Sequence, residues 1–304
     1  MLYLYTEEFF FLGKIKRKCK AVLGMINRGP EAVARSLKRG LDALQKPYHL
    51  NSAAKQPSQE NIAVVLNGVK VLRWAIAQKR AGKIQKLVAG PNIVVTPLDY
   101  NYLITDPVVD IYLVPAQWSV DWWVSLIPTI KEKLAVWPAG VENRGELVNP
   151  QGQVLILQKN APLEVLNQVK RTLQKFNLLF AEITYGHFDS ADYFRLLKKS
   201  KFMVYLSQSE SQGLALHEAW MAGVPTLVWN RGFMQYRRWR WEEKKISAPY
   251  LSVECGRFFY GTVDFEETLT QFLENYHIYK PRAYSLRNFT DKISAQKFLQ
   301  IISV

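Results

Sequence analysis

The chain has 304 residues, with 40 Lys+Arg against 26 Asp+Glu, a formal net charge of +14, and 48% hydrophobic and 13% aromatic content. That composition excludes a disordered tail, a collagen-like repeat and a small disulfide scaffold. At about 100–200 residues per domain the length predicts two domains, each able to bury its own core. In chain order, Leu2–Tyr5, Ile62–Leu66, Leu87–Val95, Ile111–Val114 and Leu134–Trp137 read as buried strands, with helices at Pro30–Leu44, Val69–Arg80 and Trp118–Lys131. Val148-Asn149-Pro150-Gln151-Gly152 reads as a turn-rich linker, which sets the expected domains at 1–149 and 150–304. Strands follow at Val154–Leu157, Leu179–Thr184, Phe202–Leu206 and Thr226–Trp229, and a last one near Tyr250–Val253. Leu163, Leu166, Val169, Leu173 and Phe176 form the stripe of one helix, Tyr193–Lys199 begins a shorter one, and two helices close the chain. Short apolar runs alternating with helical segments predict an α/β fold: two Rossmann-like, doubly wound domains in tandem, with a ligand cleft between them.

Two cysteines, Cys19 and Cys255, form no disulfide framework, and no apolar stretch approaches the roughly 20 residues that span a bilayer. With Glu7 and Glu8 ahead of the first basic residues, the N-terminus is unlike a secretory signal, so the expected location is cytoplasmic, either soluble or peripheral at a membrane.

The chemistry concentrates in Leu206-Ser207-Gln208-Ser209-Glu210-Ser211-Gln212-Gly213-Leu214-Ala215-Leu216-His217-Glu218-Ala219-Trp220-Met221-Ala222-Gly223-Val224-Pro225, read as strand, polar loop, helix and turn. Gly213 stands where the loop enters the helix, and a residue without Cβ there lets backbone N–H groups approach an anion. Glu210 in the loop and Glu218 one turn into the helix can face one crevice, and neither is expected to be needed by a core. A carboxylate can accept hydrogen bonds from both hydroxyls of a ribose, so the pair fits a nucleotide.

This stretch resembles the E-x7-E signature of glycosyltransferases of the GT-B fold, especially retaining family 4, through Glu210, Gly213, Glu218, Ala219, Gly223 and Pro225. The resemblance implies a glycosyltransferase that moves a sugar from a UDP- or GDP-linked donor to a hydroxyl of a glycan or lipid-linked acceptor, with retention. It implies that Glu218 holds the donor ribose, that Glu210 lies near the hydroxyls of the transferred sugar, and that the amides at Leu214 and Ala215 hold the diphosphate. Lys159 is the expected cation after the first strand of the second domain; the family's Arg and second Lys are not evident there. Gly186 and His187, in Tyr185-Gly186-His187-Phe188, fall where related enzymes contact the base. On the acceptor side, Arg28 and Gly29 open the first helix, and Asp99 beyond Val94–Pro97 is a catalytic candidate with loop capping as its alternative. No cofactor and no metal are expected, since Asp-x-Asp, zinc spacings, a phosphate loop and a Gly-x-Ser-x-Gly elbow were all absent.

Two basic clusters remain. Lys14, Lys16, Arg17, Lys18 and Lys20 follow Phe9–Leu12 and suit an anionic membrane surface, with a solvated helix face as the alternative. Arg231 to Lys245 interleaves Arg237, Arg238 and Arg240 with Tyr236, Trp239 and Trp241, and reads as a loop covering the donor site, with no nucleic acid expected. The net charge keeps open a different function class, a non-catalytic polyanion- or nucleic-acid-binding protein on this fold, and a nucleotide-sugar epimerase is a third reading.

Overall fold

A computed structural model describes residues 1–10, 28–52, 61–261 and 264–303. The chain packs as two units, Met1–Gly140 together with Asp291–Val304, and Val141–Thr290.

The first unit runs β1 (Leu2–Tyr5), α1 (Arg28–Ala43), β2 (Tyr48–Leu50), β3 (Ile62–Asn67), α2 (Val69–Arg80), β4 (Lys86–Asn92), β5 (Ile111–Val114), α3 (Gln117–Leu126) and β6 (Leu134–Val136). Its six strands are parallel in the order β2-β1-β3-β4-β5-β6. Ala63–Leu66 and Leu87–Ala89 are buried without alternation, the mark of parallel strands covered on both faces. β4 and α3 end well before the sequence suggests. β4 stops at Asn92 rather than Val95, and α3 ends at Leu126, where Pro128 cannot continue the helix and a 3-10 segment Pro128–Lys133 takes over. His49 lies within β2 and stacks on Tyr3 with ring centroids 4.9 Å apart.

The second unit runs β7 (Gln153–Gln158), α4 (Leu163–Lys175), β8 (Phe180–Thr184), α5 (Ser190–Leu197), β9 (Ser200–Leu206), α6 (Leu214–Met221), β10 (Thr226–Trp229), β11 (Phe233–Tyr236), β12 (Trp239–Glu242), β13 (Gly256–Phe259), α7 (Asp264–Glu274) and α8 (Pro281–Asn288). Five strands form a parallel sheet, β13-β10-β9-β7-β8, while β11 and β12 pair only with each other. The period of two along β7 and β9 sorts the core. Val154, Ile156, Phe202 and Val204 pack with Val169 and Leu173 of α4 and Phe265 and Leu269 of α7. Leu155, Leu157, Met203 and Tyr205 face Leu197 of α5 and Leu216, Ala219 and Trp220 of α6. The strand expected near Tyr250–Val253 is absent: that stretch leads through a turn into β13, which begins at Gly256.

The chain ends in α9 (Asp291–Ser303), which packs on the first unit, not the second. Arg39 pairs with Asp291 at 2.6 Å, the Trp137 indole donates to the Ser294 carbonyl at 3.0 Å, and Trp137 and Phe298 rings lie 5.4 Å apart. The packing boundary therefore falls at Gly140 and again at Thr290, whereas the sequence placed a single boundary after 149. Pro281 starts a separate helix, so three α-helices rather than two follow β13 among the described residues. Among the described residues no helix is long and apolar enough to cross a membrane.

Candidate functional site

Because β7, β8, β9 and β10 are parallel, the loops that follow them share one edge of the sheet, the edge at which doubly wound folds bind ligands. Lys159 and Asn160 follow β7, Tyr185–His187 follow β8, Ser207–Gly213 follow β9, and Asn230 and Arg231 follow β10.

Glu210 is buried in the β9 loop with 7% exposure. Its Oε1 accepts hydrogen bonds from Lys159 Nζ at 2.7 Å, the Tyr205 hydroxyl at 2.6 Å and the Ser207 hydroxyl at 2.9 Å, and its N–H donates to the Ile246 carbonyl at 2.8 Å. A carboxylate at such low exposure requires this pairing. Glu210 is thus part of a buried polar network, which corrects the expectation that no core needs it. Burial, then the adjacent Glu210 charge, raises the Tyr205 hydroxyl well above its usual pKa and keeps it a donor. Lys159 also lies 4.7 Å from the Tyr185 ring centroid, so an aromatic face and a carboxylate fix its ammonium at the end of β7. Asn160 binds the β9 loop from the other side: its Oδ1 accepts from the Gln208 N–H at 2.7 Å and its carbonyl from Gln208 Nε2 at 2.6 Å.

Gly213 caps α6 with φ of +82°. A Cβ there would also stand 3.2 Å from Leu216 Cδ1 and 3.6 Å from Glu210 Cγ, so glycine is selected by the left-handed backbone and by close packing. Leu214 and Ala215 make the first turn of α6, half-buried, and the Tyr193 hydroxyl holds the Ala215 carbonyl at 2.6 Å. Glu218 is half-buried one turn on, near enough that its charge adds to burial in raising the Tyr193 hydroxyl. Its neighbour His217 points the other way, fully buried against Trp220, Tyr250 and Phe289 with centroids 5.1, 5.3 and 4.3 Å away. Gly186 and His187 occupy an exposed turn closed by the His187 N–H on the Thr184 carbonyl at 3.0 Å.

The structure thus brings Lys159, Glu210 and Gly213 together at one sheet edge, with Leu214, Ala215 and Glu218 on the helix that starts there. In the first unit, Asp99 Oδ2 accepts the Val95 and Thr96 N–H groups, each at 2.9 Å, and so closes the loop after β4. Arg28 and Gly29 open α1. Lys14, Lys16, Arg17, Lys18 and Lys20 lie outside the described residues. Sequence reasoning missed Tyr205, Ser207 and Asn160, which read as an apolar strand and ordinary loops. It also read the hairpin β11–β12 as a loop, although the alternation of Tyr, Trp and Arg around the Arg237-Arg238 turn was a strand signal. Among the described residues no group of three or more His, Cys, Asp or Glu is placed to hold a metal ion.

No family model matches the chain, and no curated protein matches it. Solved structures do. The lipopolysaccharide outer core galactosyltransferase WaaB in its apo form is 12% identical over 99% of both chains, with a TM-score of 0.58. Anabaena Alr3699/HepE, in complex with UDP and glucose, is 11% identical over all of this chain and 99% of its own, with a TM-score of 0.60. TarM is 12% identical over 90% of this chain, which spans 58% of TarM, with a TM-score of 0.60. At these identities the likeness is one of fold, and the fold is two Rossmann-like units of the GT-B glycosyltransferase type.

Proposed function

We propose that this protein is a glycosyltransferase that binds a nucleoside-diphosphate sugar, UDP- or GDP-linked, at the edge of the second unit's sheet. The observation that carries the reading is the entry to α6. Gly213 opens the helix N-terminus, Glu218 stands one turn in, and Glu210 lies under the same loop beside the Lys159 ammonium. Support comes from the UDP and glucose named for Alr3699/HepE, which has the same fold.

In this reading the Glu218 carboxylate accepts from the ribose hydroxyls, the amides at Leu214 and Ala215 meet the diphosphate, and Lys159 adds a full charge there. Glu210, held rigidly by its three donors, faces the sugar as a preoriented acceptor for its hydroxyls. As the bond from the anomeric carbon to the diphosphate breaks, its electron pair leaves with the phosphate oxygen, and the helix amides and Lys159 stabilise that charge. The acceptor hydroxyl bonds to the anomeric carbon with retention, and its proton passes to the departing phosphate. The acceptor belongs with the first unit at Arg28 and Gly29, while Asp99 shapes a loop there instead of acting as a base. The same reading keeps the enzyme cytoplasmic, with Lys14–Lys20 as its contact to an anionic membrane.

The test is Glu218→Ala. Transfer from the sugar donor found by a thermal-shift screen of UDP-, GDP-, ADP- and dTDP-sugars is expected to fall by about 100-fold or more, with the melting temperature of the free protein nearly unchanged. Unaltered transfer in folded Glu218→Ala protein would falsify the assignment.

A further inference from the structure

The hairpin β11–β12 stands at the same edge as Glu210 and carries an arrangement the donor reading does not use. Phe233 lies opposite Glu242, Met234 opposite Trp241, Gln235 opposite Arg240 and Tyr236 opposite Trp239. Phe233, Gln235, Arg240 and Glu242 therefore share one face and Met234, Tyr236, Trp239 and Trp241 the other. Met234 is buried, so the second face is the packed one and the first presents charge.

On that charged face two guanidinium groups meet one ring. The Arg240 guanidinium carbon is 3.6 Å from the Phe233 centroid and that of Arg231 is 4.3 Å from the same centroid. Arg231 is fixed by its Nε–H on the Phe233 carbonyl at 2.7 Å. Partial burial, then the charge of Arg240, lowers the Arg231 pKa from its usual value. The ring attracts each cation by about 0.5–1 kcal/mol at a surface, but the two cations repel each other. Among the described residues the carboxylate that meets them is Glu242, which approaches Arg240 at 3.3 Å with both side chains exposed, a pair worth little in water. Guanidinium groups stacked on a ring keep their in-plane N–H donors for a planar or tetrahedral oxyanion. The occupied ring face is also closed to stacking by a nucleobase, which argues against a single-stranded nucleic acid.

The place of the pair is set by hydrogen bonds at the hairpin base. Asn230 donates to the Lys244 carbonyl and accepts from the Gly232 N–H at 3.1 Å, and the Glu243 N–H donates to the Gly232 carbonyl at 2.9 Å. The next residues fasten the hairpin to the β9 loop: the Ile246 carbonyl receives the Glu210 N–H at 2.8 Å, and the Ser247 hydroxyl donates to the Gln208 carbonyl at 3.3 Å.

We propose that Arg231 and Arg240, held against Phe233, form a binding site for the phosphate oxyanion of a ligand, beside the Glu210 loop. The site supplies cations that the β7 loop, with Lys159 alone, does not. Its ligand chemistry is a phosphate group, carried by the donor's diphosphate or by a phosphorylated acceptor; only the first source rests on the nucleotide-sugar reading.

The experiment titrates the full chain with inorganic pyrophosphate and with UDP by calorimetry, comparing wild type, Arg231→Gln/Arg240→Gln, Arg237→Gln/Arg238→Gln and Glu218→Ala. The tip pair serves as the charge-matched control, because Arg237 and Arg238 lie singly over Tyr236 and Trp239. The Arg231/Arg240 variant is expected to weaken pyrophosphate binding by about tenfold or more, the tip variant by less than about twofold, with thermal melting confirming folded protein. Glu218→Ala is expected to weaken UDP but leave pyrophosphate unchanged. A parallel loss of UDP binding in the Arg231/Arg240 variant supports the donor as the source. Unchanged UDP binding with lost pyrophosphate binding supports a phosphorylated acceptor. If wild type binds pyrophosphate through the pair but binds neither UDP nor GDP titrated in the same way, the nucleotide-sugar reading falls and this site stands. Equal losses in the two arginine variants, or no binding of pyrophosphate by wild type, overturn the proposal.

Discussion

At the residue scale, two buried titratable groups close together in sequence illustrate opposite solutions. Glu210 collects three hydrogen-bond donors on one oxygen, whereas His217, at the core end of the same segment, is surrounded by rings. Burial pushes the His217 imidazole down to about 3, with a backbone contact at Gln212 acting in the opposite sense. Its folded pKa is below its unfolded value of about 6.5. As pH falls below that value the unfolded chain takes up a proton that the folded chain refuses, so stability is lost as pH falls from about 6.5 towards about 3, by roughly 1.4 kcal/mol per pH unit. Urea unfolding at pH 7 and pH 5 should therefore show an acid loss in wild type about 2 kcal/mol larger than in His217→Phe, which keeps an aromatic ring in the box but cannot titrate. Equal losses in the two proteins would remove His217 as the cause.

At the element scale, the entry to α6 couples backbone conformation to the proposed chemistry. Gly213→Ala places a Cβ on a residue with φ of +82° and within 3.2 Å of Leu216 Cδ1. We expect a loss of about 1–2 kcal/mol in stability, and a weaker nucleotide affinity than a purely global loss would produce, because the first-turn amides shift with the cap. Chemical unfolding and calorimetry of the folded variant separate the two effects. This entry was legible in the sequence because its parts are local: a loop carboxylate, a glycine and a second carboxylate one turn on, between two apolar strands. The sheets were legible for the same reason, since strands buried on both faces are unbroken apolar runs. What was not legible depends on distant pairing. Lys159 and Asn160 reach Glu210 and Gln208 across about fifty residues, and Tyr205 hides its hydroxyl inside an apolar strand. In β11 and β12 the arginines cover aromatic rings, so charge and apolar surface fall at neighbouring positions and the stretch resembles a basic loop.

At the scale of the whole molecule, the chain's last described helix returns to the unit where the chain began, and one glycine makes that return possible. Gly40 sits inside α1, where glycine costs about 1 kcal/mol of helix propensity relative to alanine. The reason is close approach: a Cβ at Gly40 would lie 2.2 Å from the Asp291 carbonyl oxygen and 2.6 Å from Ala295 Cβ. Around this contact, α9 is tied down by Arg39 on Asp291, by the Ser294 hydroxyl on the Pro138 carbonyl at 2.8 Å, and by Lys86 on the Ile302 carbonyl at 3.1 Å. Gly40→Leu tests whether this packing belongs to the first unit alone. Leucine is the better helix former, so any loss must come from forcing α9 off α1, at about 1–3 kcal/mol or more. Hydrogen exchange is expected to show reduced amide protection in β1, β3 and β4 and in α9, with β7, β9 and β10 protected as in wild type. Nucleotide affinity, which the second unit is proposed to supply, should stay within about twofold of wild type. Equal loss of protection in both sheets would mean that the two units unfold together, and full protection everywhere would mean that α9 is not docked on α1 as closely as the glycine implies.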